Sequence, residues 1–247
     1  MQATLEQAIE SITGGKPSVV ASGRTDAGAH ALRQVVAFST ETKLGTDVLR
    51  RALNATLPAD IAVTSAQEVR SDFHPRFDAS SRVYRYVIWN RPVRSPFWHG
   101  RAAHVKPYLD VGAMHEAARH LTGTHDFGAF VPRNLAGSRT RTVYRAECRR
   151  DGDVVLIELE GDGFMRQMVR SIVGTLVRVG LGKIGSAEFR GILASLDRKR
   201  AATTAPAAGL YLAEVRYPDF ADEPSESIPQ RFLPRVSATA NRSEEHL

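Results

Sequence analysis

A carboxylate stands in a loop that has glycine at both of its ends. The stretch GRTDAG, residues 23–28, follows a short apolar run and places Asp26 where the backbone can bend sharply. Aspartate is a known covalent nucleophile in enzymes, but an aspartate in a turn also commonly hydrogen-bonds its own backbone. The loop alone leaves both interpretations open, so the partners of Asp26 must decide between them.

Two residues farther along the chain could give Asp26 a chemical role. Arg170 belongs to a predicted helix over residues 163–180 and lies beside its apolar stripe, so it could reach a buried carboxylate and keep it ionised. Tyr84, in the stretch RVYRY, could stack on a flat ligand and present its phenol to it. Each has a structural alternative, since Arg170 could be a surface charge and Tyr84 a core aromatic.

Other chemistries find little support in the sequence. HEAARH, residues 115–120, resembles a zinc-protease motif. Its histidines are one position too far apart, which would place them roughly 140° from each other on a helix. The single cysteine, Cys148, falls in the middle of a predicted strand, and the sequence contains no GxSxG, GxGxxG or Walker motif. We therefore expect no metal, no cofactor and no nucleophilic serine or cysteine.

The charge of the chain favours a polyanionic partner, of which nucleic acid is the obvious candidate. The whole chain carries a formal charge of +6, and residues 1–218, with 30 basic and 21 acidic side chains, carry +9. In the stretch SRTRTVYRAECRR, a period of two predicts that four arginines share one strand face and grip phosphate oxygens. The alternative is a solvated face with scattered ion pairs. The four are Arg139, Arg141, Arg145 and Arg149.

Hydrophobic periodicity predicts strands interleaved with helices in two comparable halves. The fold class is therefore α+β, with mainly antiparallel sheet and helices packed on one face. We predict helices over residues 4–12, 47–57, 110–123 and 163–180, and strands over residues 18–22, 31–40, 60–69, 80–90, 139–150, 153–161 and 209–217.

The chain divides at two points. We place an N-terminal α/β half in residues 1–72, a C-terminal α/β half in residues 73–218, and a disordered tail in residues 219–247, where prolines and mixed charges accumulate. The sequence has no apolar run of about 18 residues and no signal-peptide pattern. A lone cysteine fits a reducing compartment. These features predict a soluble, cytoplasmic protein that contacts no membrane.

Six blocks, taken together, resemble the tRNA pseudouridine synthase A family. GRTDAGAHA, residues 23–31, is similar to that family's nucleophile motif GRTDAGVHA, with Ala29 in place of the usual valine. The other five follow in the family's order over a similarity that spans roughly residues 4–218. They are FHPRFDASSRVYRYVIWN (73–90), GTHDFGAF (123–130), SRTRTVYRA (138–146), GFMRQMVRSIVGTL (163–176) and APAAGLYLAEVRYP (205–218).

This resemblance implies a homodimeric enzyme that isomerises uridine to pseudouridine in the anticodon stem-loop of tRNA, at tRNA positions 38–40, without cofactor or metal. It also implies a cleft between the two α/β halves. By the same likeness Asp26 would be the nucleophile and Arg170 its partner. Tyr84 would contact the target base, and Arg24 would help to hold the flipped nucleotide. Three further residues are expected to bind substrate: His30, Arg139 and Arg141.

The sequence departs from the family at its start. The family's opening strand, with a YDGxxFxGWQ-like segment, is missing before the first predicted helix. We expect its loss to remove one strand from the first half and leave a neighbouring strand unpaired. The alternative that follows is a tRNA-binding protein with impaired catalysis. A separate third hypothesis is a hydrolase that uses Asp26 and would release free uracil or cleave RNA.

Overall fold

A computed structural model describes residues 1–218 of the chain. Within this range helices and strands alternate in the order that the sequence predicts for most of them. The helices are α1 (Gln2–Thr13), α2 (Thr46–Thr56), α3 (Val111–Ala118), α4 (Met168–Gly180) and α5 (Ser186–Ser195). The strands are β1 (Val20–Ala21), β2 (His30–Ala31), β3 (Val36–Ala37), β4 (Ser81–Trp89), β5 (Ala103–His104), β6 (Gly123–Asp126), β7 (Thr140–Asp151), β8 (Val154–Gly161) and β9 (Leu210–Arg216).

One large mixed sheet organises the molecule and confirms the α+β class. Six of its seven strands run in the order β2-β9-β4-β8-β7-β6, and β5 pairs with β4. The long central pairs are antiparallel, whereas β2–β9 and β4–β5 are parallel. The first half is the smaller one: it forms the antiparallel pair β1–β3 and contributes β2 to the large sheet. The boundary between residues 72 and 73 stays a prediction.

The main core lies between one face of this sheet and the helices α3, α4 and α5. Inward positions of β4 and β8 alternate with outward ones, as a half-buried strand requires, so Ile88 and Ile157 are fully covered. Helix α4 contributes Ile172 and Leu176, four positions apart on one stripe. A separate small core joins α1 and α2, so the first half has apolar packing of its own.

Several elements of the structure differ from the prediction. The predicted helix over residues 163–180 begins only at Met168, because Gln167 before it has a left-handed backbone with φ 61. Residues 60–69 form no strand, and α5 was not predicted although Phe189, Ile192 and Leu193 give it a buried face. The predicted disordered tail lies outside the described residues.

A bulge in β7 overturns the expectation that four arginines share one strand face. The pairing of β7 with β8 shifts its register between Val143 and Arg145. Val143 and Ala146, three positions apart, are therefore both buried in the main core. The alternation of side chains restarts at the bulge. Two pairs result: Arg139 and Arg141 precede it, whereas Arg145 and Arg149 follow it on the face away from the helices.

The face away from the helices is a network of ion pairs. Glu158, only 16% exposed, accepts from Arg85 Nε at 2.5 Å and from Arg145 Nη2 at 2.5 Å. Arg216 pairs with Glu160 on the same face. For Arg145 the alternative interpretation, ion pairs on a strand face, is confirmed. Because carboxylates already neutralise these guanidiniums, they are poor candidates for holding phosphate.

Gly174 lets α4 approach the segment at residues 203–205. A Cβ atom at Gly174 would lie 2.2 Å from the Thr203 carbonyl oxygen, far inside van der Waals contact. One turn earlier, the Ala205 N–H donates to the Arg170 carbonyl oxygen at 3.1 Å. The absence of a side chain at residue 174 therefore fixes the distance between Arg170 and this segment.

We expect Gly174→Ala to lower the free energy of unfolding by about 1–3 kcal/mol, because overpacking outweighs the better helix propensity of alanine. The matched control is Gly191→Ala in α5, where the nearest atom to the added Cβ is the flexible Arg200 Nη2 at 3.8 Å. This control should stabilise by about 0.5–1 kcal/mol. Urea denaturation of both variants measures the difference, and equal stability of the two would contradict the close approach.

Candidate active site

The loop that carries Asp26 is shaped by its own backbone. The Ala29 N–H donates to the Asp26 carbonyl oxygen at 3.0 Å, and Gly28 within this turn has φ 80. That is the pattern of a type II turn, which favours glycine at its third position because φ is positive there. At the start of the loop, the Gln34 side-chain amide donates to the Gly23 carbonyl oxygen at 2.9 Å. Both anchors use backbone atoms, so the Asp26 carboxylate is left for another partner.

That partner is Arg170, as the sequence predicts. Arg170 Nη1 lies 2.5 Å from Asp26 Oδ2, although the two residues are 144 positions apart. The same guanidinium donates through Nε to the Ala205 carbonyl oxygen at 2.7 Å, which fixes its plane. The side chains of Arg170 and Asp26 are 16% and 25% exposed, so solvent screens this pair less than a surface pair. The turn-former interpretation therefore does not account for the carboxylate.

Tyr84 lies beside the ion pair. Its ring, on β4, contacts Phe164 edge-on with 5.2 Å between ring centroids. Burial raises the pKa of the Tyr84 phenol, the nearby Arg82 cation lowers it, and the Asp26 carboxylate raises it further. The phenol therefore stays neutral at physiological pH and can donate a hydrogen bond.

A pocket opens between the Asp26 loop, β4 and the residues that lead into α4. Its lining includes the three predicted catalytic residues, Asp26, Tyr84 and Arg170, together with Arg24. Arg24 is exposed, and its guanidinium makes no hydrogen bond or ion pair to any residue in the range 1–218. An unpaired guanidinium next to a carboxylate in a pocket suits a ligand with both a phosphate and a reacting centre.

The other predicted substrate-binding residues lie outside the pocket lining. His30 stacks on Tyr211 with ring centroids 4.6 Å apart, and its Nε2 is 2.8 Å from the Gly100 carbonyl oxygen. The Arg139 and Arg141 side chains donate to carbonyl oxygens of the loop before β7. Their roles in binding substrate stay predictions.

The sequence analysis missed the part of the pocket wall that the segment before α4 forms. Phe164, Arg166 and Gln167 line the pocket from the segment that precedes α4. The apolar period of this stretch continues into the helix without a break, so periodicity gave no signal that the helix begins later. Only the backbone of Gln167 marks the change, and backbone angles cannot be read from a pattern of apolar residues.

Neither a metal site nor a membrane span is found in the part of the chain that the structure describes. Histidine, cysteine, aspartate and glutamate do not gather there in groups of three that could hold a metal ion. None of the helices there is long and apolar enough to cross a bilayer. Cys148 is buried, and burial raises the pKa of its thiol to about 12, so it is not an activated nucleophile.

Comparison with known proteins places this site in a family. A family model described as tRNA pseudouridine synthase matches residues 1–78 and 117–218. The chain belongs to the tRNA pseudouridine synthase family. The first range matched to the family contains Asp26 and the second contains Arg170, whereas Tyr84 lies between the two ranges.

Individual relatives support the family over most of the chain. A protein named tRNA pseudouridine synthase A from Brevibacillus brevis is 45% identical over 218 residues, which is 88% of this chain and 89% of the relative. Proteins of the same name from Acetivibrio thermocellus and Geobacillus kaustophilus are 44% and 45% identical. They cover 88% and 83% of this chain, and 89% and 80% of their own lengths are matched.

We expect the Asp26–Arg170 pair to contribute measurably to stability. A double-mutant cycle with Asp26→Asn and Arg170→Met should give a coupling free energy of about 1–2 kcal/mol, between the values for exposed and buried pairs. The control cycle, Asp47→Asn with Arg50→Met, tests a pair on α2 that is 3.6 Å apart with Asp47 87% exposed, and its coupling should be close to zero. Urea denaturation measures both cycles, and equal couplings would show that the pocket pair is no different from a surface pair.

Proposed function

We propose that the protein is a tRNA pseudouridine synthase that isomerises uridine in the anticodon stem-loop, at tRNA positions 38–40. The observation that carries the proposal is the contact between the Asp26 carboxylate and Arg170 in a pocket that also holds the Tyr84 ring. Membership of the tRNA pseudouridine synthase family supports the substrate and the reaction.

The reaction needs a nucleophile and no net oxidation. The bond from ribose C1′ to uracil N1 breaks, and a bond from C1′ to C5 forms. C5 loses its proton and N1 gains one, so substrate and product are isomers. Asp26 would add to C6 of the ring or to C1′ of the sugar, and its bond to the nucleoside breaks again when pseudouridine is complete. Arg170 would hold the carboxylate in place, because its guanidinium donates one hydrogen bond to Asp26 and is itself fixed by a second one to the Ala205 carbonyl oxygen.

The target base must leave its stack before Asp26 can reach it. Extrusion from a stem costs a few kcal/mol, which contacts to the everted nucleotide must offset. Arg24, which lines the pocket two positions before Asp26, would hold a phosphate of that nucleotide. Tyr84 would stack against the uracil ring and limit its travel once the C1′–N1 bond is broken.

The remaining predictions concern the setting of the reaction. The charge of +9 on residues 1–218 suits a tRNA substrate, and we propose that the protein acts in the cytoplasm as a homodimer. The reaction as written uses no cofactor. The alternative of an impaired tRNA-binding protein is not supported, since the relatives that match most of the chain are named as synthases.

We expect Asp26→Asn to reduce pseudouridine formation by about 10³-fold or more, because an amide cannot form the covalent bond. Affinity for tRNA should stay within a few-fold of the original protein, since phosphate contacts are untouched. Pseudouridine mapping on unmodified tRNA, combined with filter binding, measures both quantities. Substantial turnover by the variant would remove Asp26 from its role, and free uracil or cleaved RNA from the original protein would favour the hydrolase.

We expect tRNA binding to weaken steeply with salt, and Arg24→Gln to make it less steep. Loss of one phosphate contact lowers the slope of log K against log salt concentration by about 0.7–0.9. Lys183→Gln is the matched control, because this exposed cation follows the far end of α4, and its slope should equal that of the original protein. If Arg24→Gln and Lys183→Gln gave the same slope, Arg24 would not contact phosphate.

A further inference from the structure

Gln167 adopts a backbone conformation that costs energy for a residue with a side chain. Its φ of 61 lies in the left-handed region, where Cβ approaches the backbone closely and glycine or asparagine is preferred. The residue stands immediately before α4, and its carbonyl oxygen accepts from the Ser171 N–H at 2.9 Å. Any residue type could supply that carbonyl. The backbone role therefore does not explain why a long polar side chain is present.

Gln167 lines the pocket that contains Asp26 and Tyr84. Its amide makes no hydrogen bond to any residue in the range 1–218, so both its oxygen and its nitrogen remain available to a ligand. A strained backbone in an active-site wall, carrying a side chain with unused hydrogen-bonding capacity, is the pattern expected of a substrate contact.

Uracil presents a suitable partner on the edge that bears N3. When the base exchanges N1 for C5 by turning about the line through N3 and C6, O2 and O4 exchange places while N3–H stays on the axis. A primary amide offers one acceptor and one donor side by side. Its oxygen can accept from N3–H throughout the turn, and its NH2 group can donate to one carbonyl oxygen before the turn and to the other afterwards.

We propose that Gln167 is a substrate-binding residue whose amide holds the N3 edge of uracil as a pivot while the base turns. This inference rests on the proposed function. The same contacts would be made to the substrate and to the turned base, so Gln167 keeps the free base oriented after its bond to the sugar breaks. An amide donor and acceptor without partners in residues 1–218, at a pocket position where the backbone is strained, together carry the assignment.

The test compares Gln167→Ala with the original protein on two anticodon stem-loop RNAs, one with uridine and one with N3-methyluridine at the target. We expect Gln167→Ala to lower kcat/KM on uridine by about tenfold, the loss of a hydrogen-bonded contact. N3-methylation should lower kcat/KM of the original protein by tenfold or more and that of the variant by much less. Equal losses on methylation, or full activity of the variant on uridine, would overturn the pivot.

Two glycine variants separate strain from contact. Gln167→Gly should raise the melting temperature by roughly 2–4 °C, because glycine relieves the left-handed backbone, yet it should lose as much activity as Gln167→Ala. The control is Leu196→Gly, at the other non-glycine residue with positive φ in residues 1–218 (φ 54), which does not line the pocket. Its kcat/KM should be unchanged, and a loss equal to that of Gln167→Gly would overturn the pivot.

Failure of the pivot and failure of the proposed function give different results. An original protein that forms no pseudouridine in unmodified tRNA would contradict the proposed function and the pivot together. If the original protein is active and Gln167→Ala is equally active, only the pivot is contradicted.

Discussion

The ion pair between Arg170 and Asp26 is the constraint on which the site depends. It joins the loop at residues 23–28 to helix α4 across 144 positions, and both of its members are largely shielded from water. Each member is set by a separate backbone device: a type II turn at Gly28 for the carboxylate, and the close approach at Gly174 for the guanidinium. Because a charge-assisted hydrogen bond is short and directional, small errors in either device would separate the pair.

Within residues 1–218, the arginine side chains differ in whether they form an ion pair with a carboxylate. On the outer face of the large sheet, Arg85 and Arg145 share Glu158, so little positive charge remains there to attract a polyanion. In the pocket, Arg170 pairs with Asp26, while Arg24 pairs with no carboxylate of residues 1–218. Formal charge alone therefore overstates how much positively charged surface can bind nucleic acid. The ion pairs show which cations remain available to phosphate.

Much of the architecture could be predicted from sequence because apolar periodicity is local. The strand pair β7–β8 and the helix α4 follow directly from it. Asp26, Tyr84 and Arg170 were singled out by their residue types and positions, and the family resemblance then linked them, since nothing in their own neighbourhoods shows that they meet. The late start of α4, the strained Gln167 and the bulge in β7 escaped prediction. Each depends on backbone angles or on pairing with a distant strand, and the pattern of apolar residues carries neither.

The bulge in β7 acts as a phase shift of one residue. Upstream of it Arg141 is directed to one side of the sheet, and downstream Arg145 is directed to the other, so a single strand supplies the same side-chain type to two environments. Deleting the extra residue, Tyr144, would restore simple alternation and leave Arg141 and Arg145 on opposite faces, because they would then be three positions apart. The number of residues in β7 and its bulge together therefore decide on which face each of its arginines lies, just as the residue types decide what those side chains can bind.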